Sequence, residues 1–350
     1  MDHRSLFLKH IDPKRHIGVE VGALDRPTLS RDDVDVRYLD HLDTDGLRTK
    51  YRTHRAISAD RIVDISYVWN DGTLAQVVGV GTRFDFFAAS HVIEHIANPI
   101  GWLNEIHGVL KPGGRLLLFV PDKRFTFDMK RPCTRLSALV DAYFSDRRRP
   151  SFGQIYEHYT HAAKVDPSVA WRTPDMAERA RILPRHGVPL ALDKCRQAQA
   201  ADAYVDVHCS VFTPYSFVEL LRDMVAVGPE LLRPFKVVDF VPTPRDDIEF
   251  FVALEAIANV AVEAFNDDIM RQIARSADYS GSFDDGGFAE MMHRDEMLRQ
   301  RYDALLQNWS DSRANGRWKE ISAEIMASLP GLDPTLHHEQ PGAGAAVGSD

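Results

Sequence analysis

The clearest pattern of apolar and polar positions lies between residues 84 and 122. An apolar run at 84–90 is followed by a short polar segment and then by apolar residues at helical spacing. The spacing predicts a helix that Asn98 caps and Pro99 begins, because these residue types suit those positions. A second apolar run, 115–120, shows no alternation, as in a strand buried on both faces. This order is a β-α-β unit and predicts a parallel sheet.

Apolar runs elsewhere in the chain complete a larger sheet. The last two are separated by only seven residues, including two prolines, so we expect that pair to be an antiparallel hairpin. The predicted fold is an α/β, Rossmann-like sheet of seven strands, five parallel and two in the C-terminal hairpin. The further strands are predicted at 17–22, 34–40, 61–66, 235–241 and 249–254.

About 85 residues, 122–207, separate the fifth strand from a helix that is predicted to begin at Thr213 and Pro214. A structureless loop of that length is uncommon in a domain, and helical spacing recurs within it at 136–144, 176–182 and 194–204. We therefore expect a helical lid over the C-terminal edge of the sheet. Its first part, 122–150, holds eight Lys or Arg against four Asp or Glu. This excess fits either a solvated helical face or a surface for an anionic substrate.

The whole chain is predicted to have three parts. The sheet, lid and last hairpin give one domain over 1–260. Helical patterns then predict an extension over 261–336, which could cap the domain or pair two subunits in a homodimer. The small and polar tail, 337–350, is expected to be disordered.

Composition narrows the class of protein only slightly. The net charge of −9 and the pI of about 5.9 argue against a nucleic-acid-binding protein. The three cysteines lack metal-binding spacing and fit a reducing cytosol, so we expect a cytoplasmic protein. The charged N-terminal segment does not resemble a signal peptide, and no apolar run approaches the ~18 residues of a membrane span.

The chain resembles class I S-adenosylmethionine-dependent methyltransferases, and within them the methyltransferase type 11 group, over roughly residues 16–255. Three segments carry the resemblance in the family's order and spacing: FD at 84–85, SHVIEH at 90–95 and VLKPGG at 109–114. The resemblance implies the seven-stranded methyltransferase sheet and S-adenosylmethionine as cofactor. The continuation PDKRFTFD at 121–128 is similar to bacterial members associated with surface glycans. It implies a glycan, sugar or other small-molecule hydroxyl as acceptor.

The resemblance places the cofactor beyond the C-terminal ends of the first four strands, as in other open α/β sheets. The loop after the first strand would approach the cofactor at Gly22, and Glu20 would attract its cationic methionine end. Ala23 and Leu24 replace the small residue and the second glycine that the family usually has there. The loop therefore departs from the family pattern.

Four further positions complete the cofactor site that the resemblance implies. Asp40 ends the second strand, where the family's acid accepts hydrogen bonds from both ribose hydroxyls, and Asp43 is the fallback for this part. Asp64 is the candidate for the adenine amino group. Ser90 and His91 end the fourth strand and are expected to face the cofactor.

Methyl transfer to a hydroxyl is an in-line displacement that requires alignment and removal of a proton. His91 is our candidate base, because histidine titrates near neutral pH and this one follows the fourth strand directly. Asp122 follows the fifth strand, is predicted to meet the substrate, and is the second catalytic candidate.

Two alternatives belong to other classes. His91 to His95 also reads HxxEH, so two histidines on one helix face could bind zinc, with Glu94 as base. Asn98 and Pro99 follow too soon for the long helix of zinc peptidases, so we expect no metal and interpret Glu94 and His95 as packing residues. The changed loop at Ala23 and Leu24 leaves a non-catalytic cofactor-binding module as the other alternative.

Overall fold

A computed structural model describes residues 1–70, 72–173, 176–201 and 204–258. The chain divides into two units, Met1–Asp284 and Asp285–Asp350, and every described residue belongs to the first. The predicted C-terminal extension, its dimer contact and the predicted tail lie outside the described residues.

Seven strands form one sheet in the order β3-β2-β1-β4-β5-β7-β6. The strands β1 to β5 run parallel, whereas β7 pairs antiparallel with both β5 and β6. The predicted fold class and the predicted hairpin are therefore confirmed. The strands are β1 Ile17–Val21, β2 Asp35–Asp40, β3 Tyr67–Val68, β4 Phe84–Ser90, β5 Leu110–Pro121, β6 Phe235–Val241 and β7 Glu249–Ala256.

Most of the described helices begin where a side chain satisfies one of their free N–H groups. Asn98 accepts a hydrogen bond from Gly101 N at 2.9 Å, and Thr213 caps α10, as the sequence predicts for both residues. Ser216 completes a reciprocal cap with Thr213. The helices are α1 His3–Leu8, α2 Thr44–Tyr51, α3 Leu74–Val78, α4 Pro99–Val109, α5 Leu136–Phe144, α6 Phe152–His161, α7 Pro167–Ala170, α8 Met176–Arg179, α9 Val188–Ala201 and α10 Pro214–Val227. Short 3-10 helices lie at Ala59–Arg61, Ile93–His95 and Lys123–Phe125.

The prediction of the third strand was wrong. Residues 61–66 do not pair with the sheet as a strand, and β3 is the short segment that follows them. Within the earlier segment, Val63 N donates to Leu24 O and Ile65 N donates to Thr44 Oγ1. These loop contacts take the N–H groups that a strand ladder would need.

The core lies on both faces of the central strands, where aromatic side chains are fully buried. Phe86, Phe119 and Phe251 come from β4, β5 and β7 and have no exposed surface. Gly18 on β1 is required next to them, because a Cβ there would lie 2.4 Å from the Phe86 ring. Phe7 anchors α1 in the same cluster, and this N-terminal helix was not predicted from the sequence.

The segment between β5 and α10 holds α5 to α9, and α5 has the bounds that the helical spacing predicts. Phe125 stacks on Trp171 with ring centroids 4.0 Å apart, and Trp171 Nε1 donates to Asp247 O at 2.9 Å. Arg131 and Asp128 form a buried ion pair of 2.9 Å. The hydrogen bond of Trp171 attaches the segment to the loop between β6 and β7, whereas the ion pair lies within the segment. No helix among the described residues is long and apolar enough to cross a bilayer.

Candidate active site

His91 lies where β4 ends and the chain turns away from the sheet. Its backbone takes the left-handed conformation with φ of 54°, which residues other than glycine rarely adopt. Its N–H donates to Phe119 O on β5 at 3.0 Å, so the neighbouring strand holds the turn. The imidazole is 36% exposed at the C-terminal edge of the sheet. Backbone strain of this kind is concentrated at functional sites.

A carboxylate from the last strand holds this imidazole in place. Glu249 is the first residue of β7, and antiparallel pairing sets it beside Pro121 at the end of β5. Its Oε2 lies 2.6 Å from His91 Nε2, and its Oε1 is hydrogen-bonded to His3 Nε2 on α1. Burial would raise the pKa of Glu249, but the two histidine contacts lower it to about 2. Glu249 is therefore ionised at neutral pH.

The ionised carboxylate decides which nitrogen of neutral His91 carries the hydrogen. A carboxylate only accepts hydrogen bonds, so Nε2 carries it and Nδ1 keeps its lone pair. Nδ1 lies 3.6 Å from Glu94 Oε1. Burial would lower the pKa of His91, but the hydrogen bond to Glu249 and the charges of both glutamates raise it overall. His91 is thus arranged to accept a proton at Nδ1.

Neither Glu249 nor His3 was predicted from the sequence. The sequence does contain a signal for Glu249. In the predicted hairpin the last strand runs antiparallel, so its first residue lies at the sheet edge where the fifth strand ends. His3 had no local signal, since its position depends on how Phe7 packs α1 against the sheet.

The structure places Asp122, the second catalytic candidate, in a buried network instead of at an open site. Its side chain is fully buried, and Arg124 forms a bidentate ion pair with it, including an Nη2–Oδ2 contact of 2.5 Å. Thr243 Oγ1 donates to Oδ2 at 2.8 Å, and Arg124 N donates to Oδ1 at 3.1 Å. Both oxygens are occupied, so this carboxylate joins the start of the lid segment to the β6–β7 loop.

Asp40 lies at the C-terminal end of β2 and is only 7% exposed. Its Oδ1 accepts hydrogen bonds from His41 N at 2.7 Å and is 2.5 Å from His41 Nδ1. Within the described part of the chain these contacts leave Oδ2 for a ligand. The fallback residue, Asp43, instead caps α2 by accepting from Gly46 N at 2.7 Å.

The loop after β1 keeps the backbone shape that glycine would give it. Gly22 has φ of 72°, and a Cβ at this position would lie 3.1 Å from Val92 Cγ2. Leu24 has φ of 48°, so the residue that replaces the usual second glycine still adopts the left-handed conformation. Leu24 O accepts from Val63 N at 3.0 Å, which holds the loop in this shape.

Glu20 lies on β1 beneath this loop, with 3% of its surface exposed. Its Oε1 accepts from Thr28 N at 2.7 Å and its Oε2 accepts from Leu29 N at 2.9 Å. Burial raises the pKa of Glu20 to about 7, because these two hydrogen bonds only partly offset the loss of solvation. Its contacts therefore order the loop rather than leave the carboxylate open to a ligand.

The last two predicted cofactor residues, Asp64 and Ser90, differ in how their positions compare with the prediction. Asp64 precedes β3 instead of ending it, and its exposed carboxylate lies 3.9 Å from Arg48 Nη2. The predicted third strand, 61–66, would have contained Asp64, but β3 starts three residues after it. Ser90 does end β4, and its buried Oγ has no hydrogen-bond partner among the described residues.

The HxxEH pattern does not form a zinc-peptidase helix. Only Ile93–His95 forms a 3-10 turn, and His91 precedes it with a left-handed backbone. His91 Nε2 faces Glu249, so His91 and His95 do not share one helical face. The geometry that this pattern needs in zinc peptidases is thus absent.

A family model described as "Methyltransferase domain" matches residues 33–224, more than half of the 350 residues. The chain belongs to this methyltransferase domain family. The resemblance inferred from the sequence is confirmed, and S-adenosylmethionine is the cofactor. A search of curated proteins finds no match.

Solved structures that are similar to this methyltransferase include other methyltransferases at low identity. One is the CurJ carbon methyltransferase, with 15% identity, 72% of this chain and 51% of that chain covered, and a TM-score of 0.34. The CcbJ methyltransferase from Streptomyces caelestis has 14% identity, 73% and 89% coverage, and a TM-score of 0.33. The glycopeptide N-methyltransferase MtfA with S-adenosylhomocysteine has 15% identity, 73% and 89% coverage, and a TM-score of 0.34. The chain thus spans about half the length of CurJ, and these scores do not bear on its chemistry.

The residues of this methyltransferase domain fit the cofactor at one side of the sheet edge. Gly22 and Leu24 supply the left-handed loop that a close backbone approach requires. Asp40 has a buried carboxylate whose Oδ2 would accept a hydrogen bond from a ribose hydroxyl. The cofactor supplies an electrophilic methyl group on a cationic sulfur.

Proposed function

We propose that this protein transfers a methyl group from S-adenosylmethionine to a hydroxyl oxygen of a sugar, a glycan or another small molecule. The observation that carries the proposal is the contact of 2.6 Å between Glu249 Oε2 and His91 Nε2 at the end of β4. A histidine that a buried carboxylate holds in one tautomer is the arrangement of a general base. A hydroxyl acceptor needs such a base, because its proton must leave as the oxygen attacks.

His91 removes the proton and Glu249 stabilises the product of that transfer. The hydroxyl proton moves to His91 Nδ1, the acceptor oxygen bonds to the methyl carbon, and the carbon–sulfur bond breaks. The imidazolium that results lies between Glu249 at Nε2 and Glu94 at Nδ1. Both carboxylates lower its energy relative to an imidazolium in an apolar site.

The lid segment, 123–207, lies beside this site and is proposed to select the acceptor. Its basic residues support an uncharged acceptor more than an anionic one, because at least four of them are paired with acids of the same segment or its start. A largely buried guanidinium that already pairs with a carboxylate is less available to a phosphate or carboxylate ligand, and Arg124 and Arg131 are held in such pairs. The pairs are Arg124–Asp122, Arg131–Asp128, Arg147–Asp141 and Arg148–Asp146.

The proposal is tested by methyl transfer from cofactor that carries a ¹³C-labelled methyl group. Purified protein is incubated with pools of sugars, glycan fragments and small alcohols, and products are detected by mass spectrometry. NMR of the labelled methyl then separates an O-methyl from an N-methyl product. We expect a labelled O-methyl ether. A labelled N-methyl product would contradict the hydroxyl assignment, and cofactor binding without any product would favour the non-catalytic module.

A further inference from the structure

Glu94, His95 and His208 form a cluster beside the proposed base. One potential ligand atom from each residue lies within 4.8 Å of the other two. Glu94 and His95 belong to the 3-10 turn after β4, and His208 precedes α10. The two segments are tied together, since Cys209 N and Ser210 N donate to Glu94 O at 2.6 and 3.1 Å. The cluster is therefore a fixed part of the fold.

The carboxylate of Glu94 lacks the partners that a buried charge needs. The residue is 1% exposed, and neither carboxylate oxygen makes a hydrogen bond within the described part of the chain. Its ion-pair contact is His91 Nδ1 at 3.6 Å, the nitrogen that carries no hydrogen in neutral His91. Burying an ionised carboxylate without a partner costs on the order of several kcal/mol in lost solvation. A cation at this position would remove that cost.

Carboxylates fix both histidines of the cluster from behind. Asp128 Oδ2 lies 2.5 Å from His208 Nδ1, and Asp206 Oδ1 lies 2.9 Å from His95 Nδ1. The first contact is a hydrogen bond, whereas the second has the distance of an ion pair without hydrogen-bond alignment. Histidines that ligate metals commonly use their other nitrogen in this way, which leaves Nε2 for the metal.

We propose that Glu94, His95 and His208 bind one divalent metal ion of the zinc type. Two imidazoles and one carboxylate are a zinc ligand set, and a fourth position stays open to water or substrate. Ligand atoms around zinc are ~3.4 Å apart when bonds are ~2.1 Å long, so the side chains must close by roughly 1 Å. This site departs from our expectation of no metal and uses His208 instead of His91.

The role of the metal rests on the proposed function. Glu94 Oε1 lies 3.6 Å from His91 Nδ1, so an acceptor hydroxyl bound to the metal would lose its proton more readily, with His91 close enough to receive it. The binding of the metal itself does not depend on methyl transfer. A binding measurement without cofactor or acceptor therefore tests the site even if the acceptor assignment fails.

The test is calorimetric titration of the full chain with Zn²⁺ after treatment with a chelator, supported by elemental analysis of the dialysed protein. We expect one equivalent of Zn²⁺ for the wild type. Glu94→Gln and His208→Asn should each weaken binding at least 100-fold, whereas the control His161→Asn on α6 should leave it unchanged. Circular dichroism reports whether each variant is folded.

Asp128→Asn provides a second route if the ligand variants do not fold, because it keeps all three ligands and the shape of the residue behind His208. It also removes the charge that pairs with Arg131, so its folding is checked by circular dichroism as well. We expect its Zn²⁺ affinity to fall by about 10- to 100-fold, as for other residues behind metal ligands. A wild-type protein that binds no stoichiometric Zn²⁺ would overturn the proposal. Folded Glu94→Gln and His208→Asn proteins that bind Zn²⁺ like the wild type would also overturn it.

Discussion

Glu249 Oε2 lies 2.6 Å from His91 Nε2, although the two residues are 158 positions apart in the chain. The contact forms because β7 runs antiparallel to β5 and so begins at the edge where β4 and β5 end. This relationship links the fold to the proposed chemistry, since the last strand supplies the group that orients the base.

Glu249→Gln should reduce turnover by about 100- to 1,000-fold. Glutamine can accept from His91 Nε2 but carries no charge to stabilise the imidazolium, and its amide can also donate and favour the wrong tautomer. Steady-state kinetics measure kcat, and calorimetry should show little change in affinity for S-adenosylhomocysteine.

His3→Gln is the matched control for that variant, because His3 contacts the other oxygen of Glu249. We expect its turnover to change only a few-fold. Equal losses of turnover in the His3 and Glu249 variants would indicate that the carboxylate acts only in packing α1.

Asp40→Ala should weaken binding of S-adenosylhomocysteine by about 1.5–3 kcal/mol, the free energy of hydrogen bonds to a charged group. This corresponds to about a 10- to 150-fold rise in Kd. Calorimetry measures the change. Asp43→Ala is the control, because it removes the α2 cap and should lower stability by about 1 kcal/mol without altering the Kd. An unchanged Kd in the Asp40 variant would exclude the ribose assignment.

Leu24→Gly should be more stable than Leu24→Ala by about 1 kcal/mol, because only glycine relieves the left-handed backbone at this position. Both variants lose the leucine side chain, so their difference isolates the backbone term. Urea unfolding measures it. At the neighbouring Ala23, which lacks a positive φ, substitution by glycine should destabilise the protein instead. If glycine were more stable than alanine at both positions, or less stable at both, the result would argue against backbone strain at Leu24.

The stability contribution of Glu20 should fall as pH rises. Its pKa is about 7 in the folded protein and 4.5 in the reference state, so the folded state retains a proton that the unfolded chain releases between these values. The contribution is complete below pH 4.5 and lost above pH 7, a change of about 3 kcal/mol at 1.36 kcal/mol per pKa unit.

The measurement is urea unfolding of the wild type and Glu20→Gln from pH 5 to pH 8. The difference in unfolding free energy between them should shift by about 2.5 kcal/mol toward the glutamine variant across this range, since part of the full change lies below pH 5. Other titrating groups are common to both proteins and cancel in the difference. A difference that stays constant with pH would show that Glu20 does not keep its proton in the fold.

Much of the fold could be predicted because its signals are local. The strand, helix and strand over 84–121 have apolar spacing and caps that need no distant partner, and Thr213 marks α10 in the same way. The third strand could not be found like this. Residues 61–66 have a strand pattern, but their N–H groups bond to loops from β1 and α2.

The site was predictable only where it follows directly from a strand end. His91 and Asp40 are such residues, and both lie at the C-terminal edge of the sheet. The surroundings of Asp122 could not be predicted in this way. Arg124 and Thr243 occupy both of its oxygens, and the spacing of residues in the sequence does not indicate these contacts. Pairings across the fold, such as that of His91 with Glu249, require the strand register.

The most direct test of the account is the turnover of folded His91→Ala with the acceptor found by labelled methyl transfer. We predict a loss of about 100- to 10,000-fold in kcat, with the Kd of S-adenosylhomocysteine within about two-fold of the wild type. His161→Ala on α6 should keep normal turnover. A folded His91→Ala protein whose kcat stays within a few-fold of the wild type would contradict the assignment of His91 as the base.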